Sequence, residues 1–201
     1  MKIHNVTQQS DEWFALRRQY PLTASNAQAI GNNGKGLETL VWTVLADKHS
    51  IAEKEQFSNR DTERGNELES QARVIYEMET GSTVEVIGFV TNDKVSKVGG
   101  ASPDGAIVGH NGGVEIKCFD DAKHFKYAVM GLEVESQYQW QMQQQMLFTG
   151  WDFIDFCAYN PNYRDSLLIK RVDADAEMQT KIKEGLVAGE KFIKEIESKL
   201  K

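Results

Sequence analysis

Cysteine is scarce in this chain: two residues, Cys118 and Cys157, among 201. Two thiols cannot build a disulfide framework, so a cysteine-stapled secreted scaffold is excluded and a reducing cytoplasm is expected. Each thiol is flanked by apolar residues in a strand-like run, which points to burial. Proline is rarer than in extended linkers, at three residues. No apolar run approaches the ~18 residues needed to span a bilayer. The opening Met1-Lys2-Ile3-His4-Asn5 has no secretory signal character. A basic excess is missing too. Lys and Arg number 23 against 30 Asp and Glu, giving a net charge of −7 and a pI near 5.2. That balance excludes a nonspecific nucleic-acid coat, which binds by neutralising phosphates. It does not exclude a nuclease. Carboxylates gathered at a metal site add negative charge, and basic side chains can line one groove of an acidic body. Composition by itself favours a small-molecule enzyme or a protein-binding module. No internal repeat, low-complexity segment or linker interrupts the chain, so residues 1–201 read as a single domain with a real core.

What is present is a sequence of helices followed by strands. Residues 10–19 read as a helix with Ser10 as its N-cap. Residues 31–36 read as a loop and 37–48 as a helix. Residues 52–60 read as a polar, mobile connection. A stronger helix is expected over 62–79, where Leu68, Ala72, Ile75 and Tyr76 make a core stripe and Gly81 is the stop. Strand-like runs follow at 83–91, 95–100, 104–109 and 113–118, with His110-Asn111-Gly112-Gly113 as a hairpin turn. Helices are expected at 121–131, 136–149 and 174–199, and further strands at 151–159 and 167–172. The order predicts an α/β fold with a mixed central sheet flanked by helices on both sides.

The chemistry concentrates in Ser102-Pro103-Asp104-Gly105 and Glu115-Ile116-Lys117. Strand alternation puts Glu115 and Lys117 on one face and Val114, Ile116 and Cys118 on the other. The hairpin folds Glu115 back towards Asp104. Two carboxylates and an ammonium can therefore meet, a set able to hold a hard divalent cation and activate water against a phosphodiester. Each residue also has a plain structural reading: Pro-Asp-Gly as a turn, and Glu115 with Lys117 as a surface ion pair. Glu69 is either a third carboxylate or a helical partner of Arg73 at i+4. Arg17 is either a surface helix residue or a phosphate-gripping fork. Six glutamines, Gln137, Gln139, Gln141, Gln143, Gln144 and Gln145, crowd one helix. Tyr138, Met142 and Met146 give that helix a core face; Gln139 and Gln143 share one adjoining face, Gln141 and Gln145 another. The amides form either a solvated polar face or a set that positions water or a DNA backbone without adding charge.

Taken in order, five motifs resemble the phage lambda exonuclease and YqaJ-type viral recombinase family of the PD-(D/E)xK nuclease superfamily. They are Trp13-x-x-Leu16-Arg17 with Thr23-Ala24-Ser25; Arg64-Gly65-x-x-x-Glu69-x-x-Ala72-Arg73; Ser102-Pro103-Asp104-Gly105; Glu115-Ile116-Lys117-Cys118; and Trp140-x-x-Gln143-x-Gln145. Asn160-Pro161 after a strand also fits. The resemblance implies a restriction-endonuclease-like core. It implies that Asp104, Glu115 and the Ile116 carbonyl bind Mg²⁺, with Mn²⁺ able to substitute, and that Glu69 completes a second-metal environment. Lys117 would orient or help activate the attacking water, and Gln143 would orient groups in the active site. Arg17, Ser25 and Ser102 would bind the 5′-phosphate of a DNA end. The chain departs from the family pattern in one extra residue between Arg17 and Ser25, in Trp140 where a tyrosine is usual, and in Lys123 where an arginine stands.

The implied activity is metal-dependent 5′→3′ digestion of one strand of linear double-stranded DNA, leaving 3′ single-stranded tails for phage-type recombination. A homotrimeric ring, a single-strand annealing partner and a phage or prophage protein in a bacterial cytoplasm follow from the resemblance alone. Three rivals stand beside it: an endonuclease on the same fold, a catalytically idle DNA-binding or assembly module, and a small-molecule metal hydrolase. The intact Asp104, Glu115 and Lys117 argue against the idle module, and the hydrolase gives no account of Arg17, Ser25 and Ser102.

Overall fold

The computed structural model describes residues 1–51 and 60–200. Its centre is a mixed five-stranded sheet. Strands β6 (Gly105–Ile107) and β7 (Gly112–Cys118) form the expected hairpin, with Gly105 opposite Val114 and Gly109 taking the left-handed turn conformation at φ 79°. β8 (Phe153–Tyr159) pairs parallel with β7, and β9 (Leu167–Asp173) closes one edge antiparallel to β8. The short β3 (Val84–Glu85) closes the other edge against β6. A parallel pair needs a crossover. Here the chain leaves β7 through α5 (Asp121–Met130) and α6 (Ser136–Thr149) before returning as β8.

Strand alternation sorts the core into two layers. On one face α4 (Arg60–Thr80) packs Ala72 and Tyr76 against Val114, Ile116, Cys157 and Tyr159. The stripe expected on this helix is therefore its buried face, and Gly81 ends it at φ 69°. On the other face α6 packs Met142 and Met146 against Ile154 and Phe156. A third cluster joins α3 (Lys35–His49) and α7 (Ala176–Glu197) through Leu37, Val41, Leu186 and Ile193. Helix α1 (Asp11–Gln19) starts on Ser10, whose Oγ accepts from the Trp13 N–H, as expected of the cap. Two small sheets complete the structure: β1 (Lys2–His4) against β4 (Phe89–Thr91), and β2 (Leu22–Thr23) parallel to β5 (Gly99–Gly100). Of the two thiols Cys157 is buried and Cys118 half-buried.

Three expectations need correction. The loop expected over 31–36 is mostly helical: α2 (Ala27–Asn32) occupies its start and α3 begins at Lys35. Packing overrides the glycines there. A Cβ on Gly31 would meet the Trp140 ring at 2.2 Å, and one on Gly185 of α7 would meet the Ile30 carbonyl oxygen at 1.9 Å. Small residues let three helices approach where the sequence pattern suggests a turn. The run at 83–91 is two strands in different sheets, interrupted at Ile87 and Gly88, and 95–100 keeps only two strand residues. The polar connection expected over 52–60 falls largely outside the described residues, with α4 already under way at Arg60; the side chains of Arg64 and its neighbours lie outside them as well.

Asp155 on β8 ties α4 to the edge strand β9. It accepts from the Tyr76 hydroxyl at 2.8 Å and from Arg171 at 2.8 and 3.0 Å. Arg171 is half exposed, so its share is screened. Asp155→Ala leaves the buried Tyr76 hydroxyl without an acceptor and is expected to cost about 1–3 kcal/mol. A urea melt with an unchanged midpoint would contradict this.

Candidate active site

Asp104 enters β6 from the Pro103 turn, yet it does not simply cap that turn. Its Oδ2 accepts the Ile116 N–H of β7 at 2.7 Å, twelve residues on, and only 8% of the residue is exposed. Glu115 is wholly buried on the α6 face of β7. Its Oε1 accepts from Lys117 Nζ at 2.6 Å and from Gln141 Nε2 at 2.6 Å, and its Oε2 accepts from Gln145 Nε2 at 2.7 Å. A carboxylate without solvent persists only with such charge-assisted partners. The surface ion pair of the plain reading is thus a buried one.

Electrostatics at the cluster are dominated by burial and mutual repulsion. Burial, then Glu115, then Glu69 raise Asp104 well above the ordinary carboxylate range, against the smaller pull of Lys117 and the Ile116 N–H. Burial also raises Glu69, against Arg73 and Lys117 and with a further push from Glu115. For Lys117 burial disfavours the ammonium, but Glu115 and Asp104 outweigh it and the group is held above its usual value. Lys117 is therefore a cation, also set 5.4 Å from the Tyr138 ring. Three carboxylates against this lysine and Arg73 leave a site that accepts further positive charge. Among the described residues no group of three or more His, Cys, Asp or Glu forms a metal cage. Mg²⁺ does not require one, since it is usually held by one or two carboxylates and keeps several waters. Asp104 and Glu115 fit that requirement.

The sequence-selected residues divide unequally. Asp104, Glu115, Ile116 and Lys117 come together as expected. Glu69 on α4 is close enough to influence both carboxylates, and its Oε1 accepts from Arg73 at 3.2 Å as the helical-pair reading expects. Gln143 does not reach the cluster. Its amide spans β9 and α7, donating to the Asp173 carbonyl at 2.8 Å and accepting from the Asp175 N–H at 2.8 Å. Residues 141 and 145 lie one helical turn apart and face β7, whereas 143 is rotated away from them. Tyr138, not Trp140, is the aromatic residue at the lysine; Trp140 packs on Gly31. Gln141 and Gln145, which share one helix face in the sequence, are the glutamines that reach Glu115. The solvated glutamine face is corrected in part: Gln137 and Gln139 are exposed, whereas Gln143, Gln144 and Gln145 are all buried.

A second cluster lies beside the first. Arg17 Nη2 donates to Ser25 Oγ at 3.1 Å, and Ser25 Oγ lies 3.1 Å from Thr23 Oγ1. The guanidinium stacks 4.5 Å over Trp13, whose indole N–H donates to Ser102 Oγ at 2.9 Å. Among the described residues Arg17 makes no ion pair. An arginine fork with two hydroxyls beside it has the donor chemistry that suits an anion. The extra residue between Arg17 and Ser25 does not separate them. Lys123 pairs with Glu135 at 2.5 Å and lies 4.3 Å over Phe119 and 5.9 Å from Tyr138. Asn160 binds the Phe119 carbonyl and Asp121, tying the end of β8 to the loop entering α5.

A family profile described as the YqaJ-like viral recombinase domain matches residues 12–152. No curated protein sequence matches the chain. Among solved structures, the chain is similar to an alkaline exonuclease, LHK-Exo, from Laribacter hongkongensis. The two are 29% identical, the match covers 95% of this chain and 98% of that one, and the TM-score is 0.76. The same exonuclease in complex with dAMP matches at 30% identity with equal coverage and TM-score. A phage-related exonuclease from Haemophilus somnus shares the fold at 18% identity, 90% and 96% coverage and a TM-score of 0.64. The fold is restriction-endonuclease-like.

Proposed function

The chain belongs to the YqaJ-like viral recombinase domain family, and from that premise we propose that it is a Mg²⁺-dependent exonuclease that digests one strand of linear duplex DNA from its 5′ end. The coarser class, a phage-type exonuclease, is shared with its structural neighbours. The observation that carries the finer reading is the adjacency of two sites through one turn: Ser102 belongs to the anion pocket and Asp104, two residues later, to the carboxylate cluster. A phosphate seated at Arg17 would lie on the Ser102 side of the turn whose other side carries Asp104. The dAMP complex of LHK-Exo is consistent with a product that carries a phosphate.

Asp104 and Glu115, with the Ile116 carbonyl, would hold the cation, and Glu69 stands where it would support a second. The ion supplies Lewis-acid polarisation of the phosphate and a lowered pKa for water. Lys117, kept as an ammonium, donates hydrogen bonds and stabilises developing negative charge; it orients the attacking water and does not deprotonate it. Gln141 and Gln145 fix the Glu115 carboxylate. Trp13 holds both Arg17 and Ser102 in place.

Stability should report the cation. Asp104 faces Glu115 from β7, Glu69 from α4 and the ammonium of Lys117. Its folded value lies above its unfolded one, so the metal-free protein binds more protons than the unfolded chain. That contribution is present below the ordinary aspartate range and is lost as pH rises through the raised folded value. Mg²⁺ replaces the protons. Its stabilisation, read as a rise in melting midpoint, should therefore grow from mildly acidic to mildly alkaline buffer, reaching about 2.7 kcal/mol where Mg²⁺ is 100-fold over Kd. An equal increment at every pH, or a larger one in acid, would contradict the site.

The assembly reading comes from the family resemblance, and the charge of the chain gives it a physical purpose. A −7 chain repels DNA unless positive potential is concentrated where the strand passes. A homotrimeric ring working with a single-strand annealing protein would supply that concentration. Light scattering should give about three times the 22.7 kDa chain mass; a monomer that digests processively would remove the ring and leave the nuclease. Among the described residues no helix is long and apolar enough to cross a membrane.

A further inference from the structure

We infer that Gln145 is a positioning residue that couples an occupied phosphate pocket to the catalytic carboxylate Glu115; this rests on the nuclease reading above. Gln145 is wholly buried. Its single Nε2 group lies 2.7 Å from Glu115 Oε2 and 3.4 Å from the Ser102 carbonyl oxygen. One amide thus has a hydrogen for each acceptor, one in the cleavage site and one on the backbone of the anion pocket. Ser102 is in turn tied through its hydroxyl to Trp13, and Trp13 to the stacked Arg17. The path from pocket to carboxylate is Arg17, Trp13, Ser102, Gln145, Glu115, without a gap.

Two further observations favour a role beyond filling space. Gln145 Oε1 is buried without a hydrogen-bond partner among the described residues. The amide stands here although its oxygen goes unpaired, because its N–H group serves both Glu115 and the Ser102 carbonyl, which methionine or leucine would leave without that donor. The neighbouring Gln144 donates to the Leu22 carbonyl at 2.8 Å and the Gly100 carbonyl at 3.2 Å, pinning β2 to β5. The backbones that carry Thr23 to Ser25 and Ser102 are therefore held by the same helical turn that holds Glu115. Gln141, by contrast, touches Glu115 and not the pocket. The structure contains its own comparator.

A phosphate on Ser102 and Arg17 fixes the Ser102 peptide, and its carbonyl then holds the Gln145 amide in the orientation that holds Glu115. An empty pocket leaves that orientation less determined. The end group would act on the rate of the bound complex as well as on binding.

The test compares duplexes with 5′-phosphate and 5′-hydroxyl ends, in Mg²⁺ for turnover and in EDTA for binding. Wild type should bind and cleave the phosphorylated end preferentially. Gln145→Met should keep the binding preference within about threefold while its turnover ratio between the two ends falls towards one, roughly a tenfold loss of discrimination. Gln141→Met should slow both ends by a common factor and keep the ratio. Should Gln145→Met lose its cooperative melt, Gln145→Asn, which keeps the amide but withdraws it by one methylene, must show the same loss of ratio. A wild-type turnover ratio retained in the folded Gln145 variant, or lost equally in Gln141→Met, overturns the coupling. A wild type that cleaves neither end overturns the nuclease reading instead.

Discussion

Asp104→Ala, Glu115→Ala and Lys117→Ala are each expected to lower duplex digestion by at least about 10²-fold, the scale for losing one strong electrostatic contributor in a dry site. The three side chains share one buried point, and each is conditioned by the others. Stability should move independently of activity. Removing Asp104 relieves repulsion with Glu115 and Glu69 but leaves the buried Ile116 N–H without an acceptor, so Asp104→Asn, which keeps the acceptor, is the metal-free variant expected to melt higher than the parent in alkaline buffer. Removing Glu115 strands the amides of Gln141 and Gln145 and leaves the ammonium of Lys117 without its closest partner. That variant should be destabilised, and Glu115→Gln is the gentler probe. Purified variants assayed for nucleotide release and for melting give both quantities. Near-normal digestion by any of them would remove that residue from the chemistry.

Arg17→Ala is expected to erase most of the preference for a 5′-phosphorylated end, roughly a tenfold loss or more, given what hydrogen bonds to charged groups contribute. The metal-dependent stabilisation should remain, because Arg17 contacts Ser25 and Trp13 and none of the carboxylates. Rates on both ends, measured beside the Mg²⁺-dependent melting shift, separate the pocket from the cation site. Equal wild-type rates on the two ends would refute the pocket.

The two clusters were readable from sequence to different depths. Glu115 and Lys117 follow from period-two alternation beside a hairpin turn, and the structure keeps both the face and the turn. Arg17, Ser25 and Ser102 were grouped by resemblance, and their contact runs through Trp13, which no local pattern encodes. The glutamine helix shows where periodicity alone falls short. It separates the faces of α6 but does not say which face meets β7, because from Met142 to Phe148 every face of this helix is buried. Gln143 meets β9 and α7, Gln144 meets β2 and β5, and Gln145 meets β7. The same limit explains α2, whose Gly31 reads as a breaker until Trp140 is seen lying on it. The long amphipathic helix α4 has its buried face in the sequence, since the central sheet alone decides its stripe.

The central claim is cation-dependent digestion from a free end, and one measurement addresses it directly. Linear duplex with 5′-phosphates and a covalently closed circle of the same sequence are incubated with the protein in Mg²⁺ and in EDTA. The account predicts nucleotide release from the linear duplex in Mg²⁺ alone, with the circle intact throughout. Cleavage of the circle would identify an endonuclease, and digestion that persists in EDTA would contradict the role given to Asp104 and Glu115.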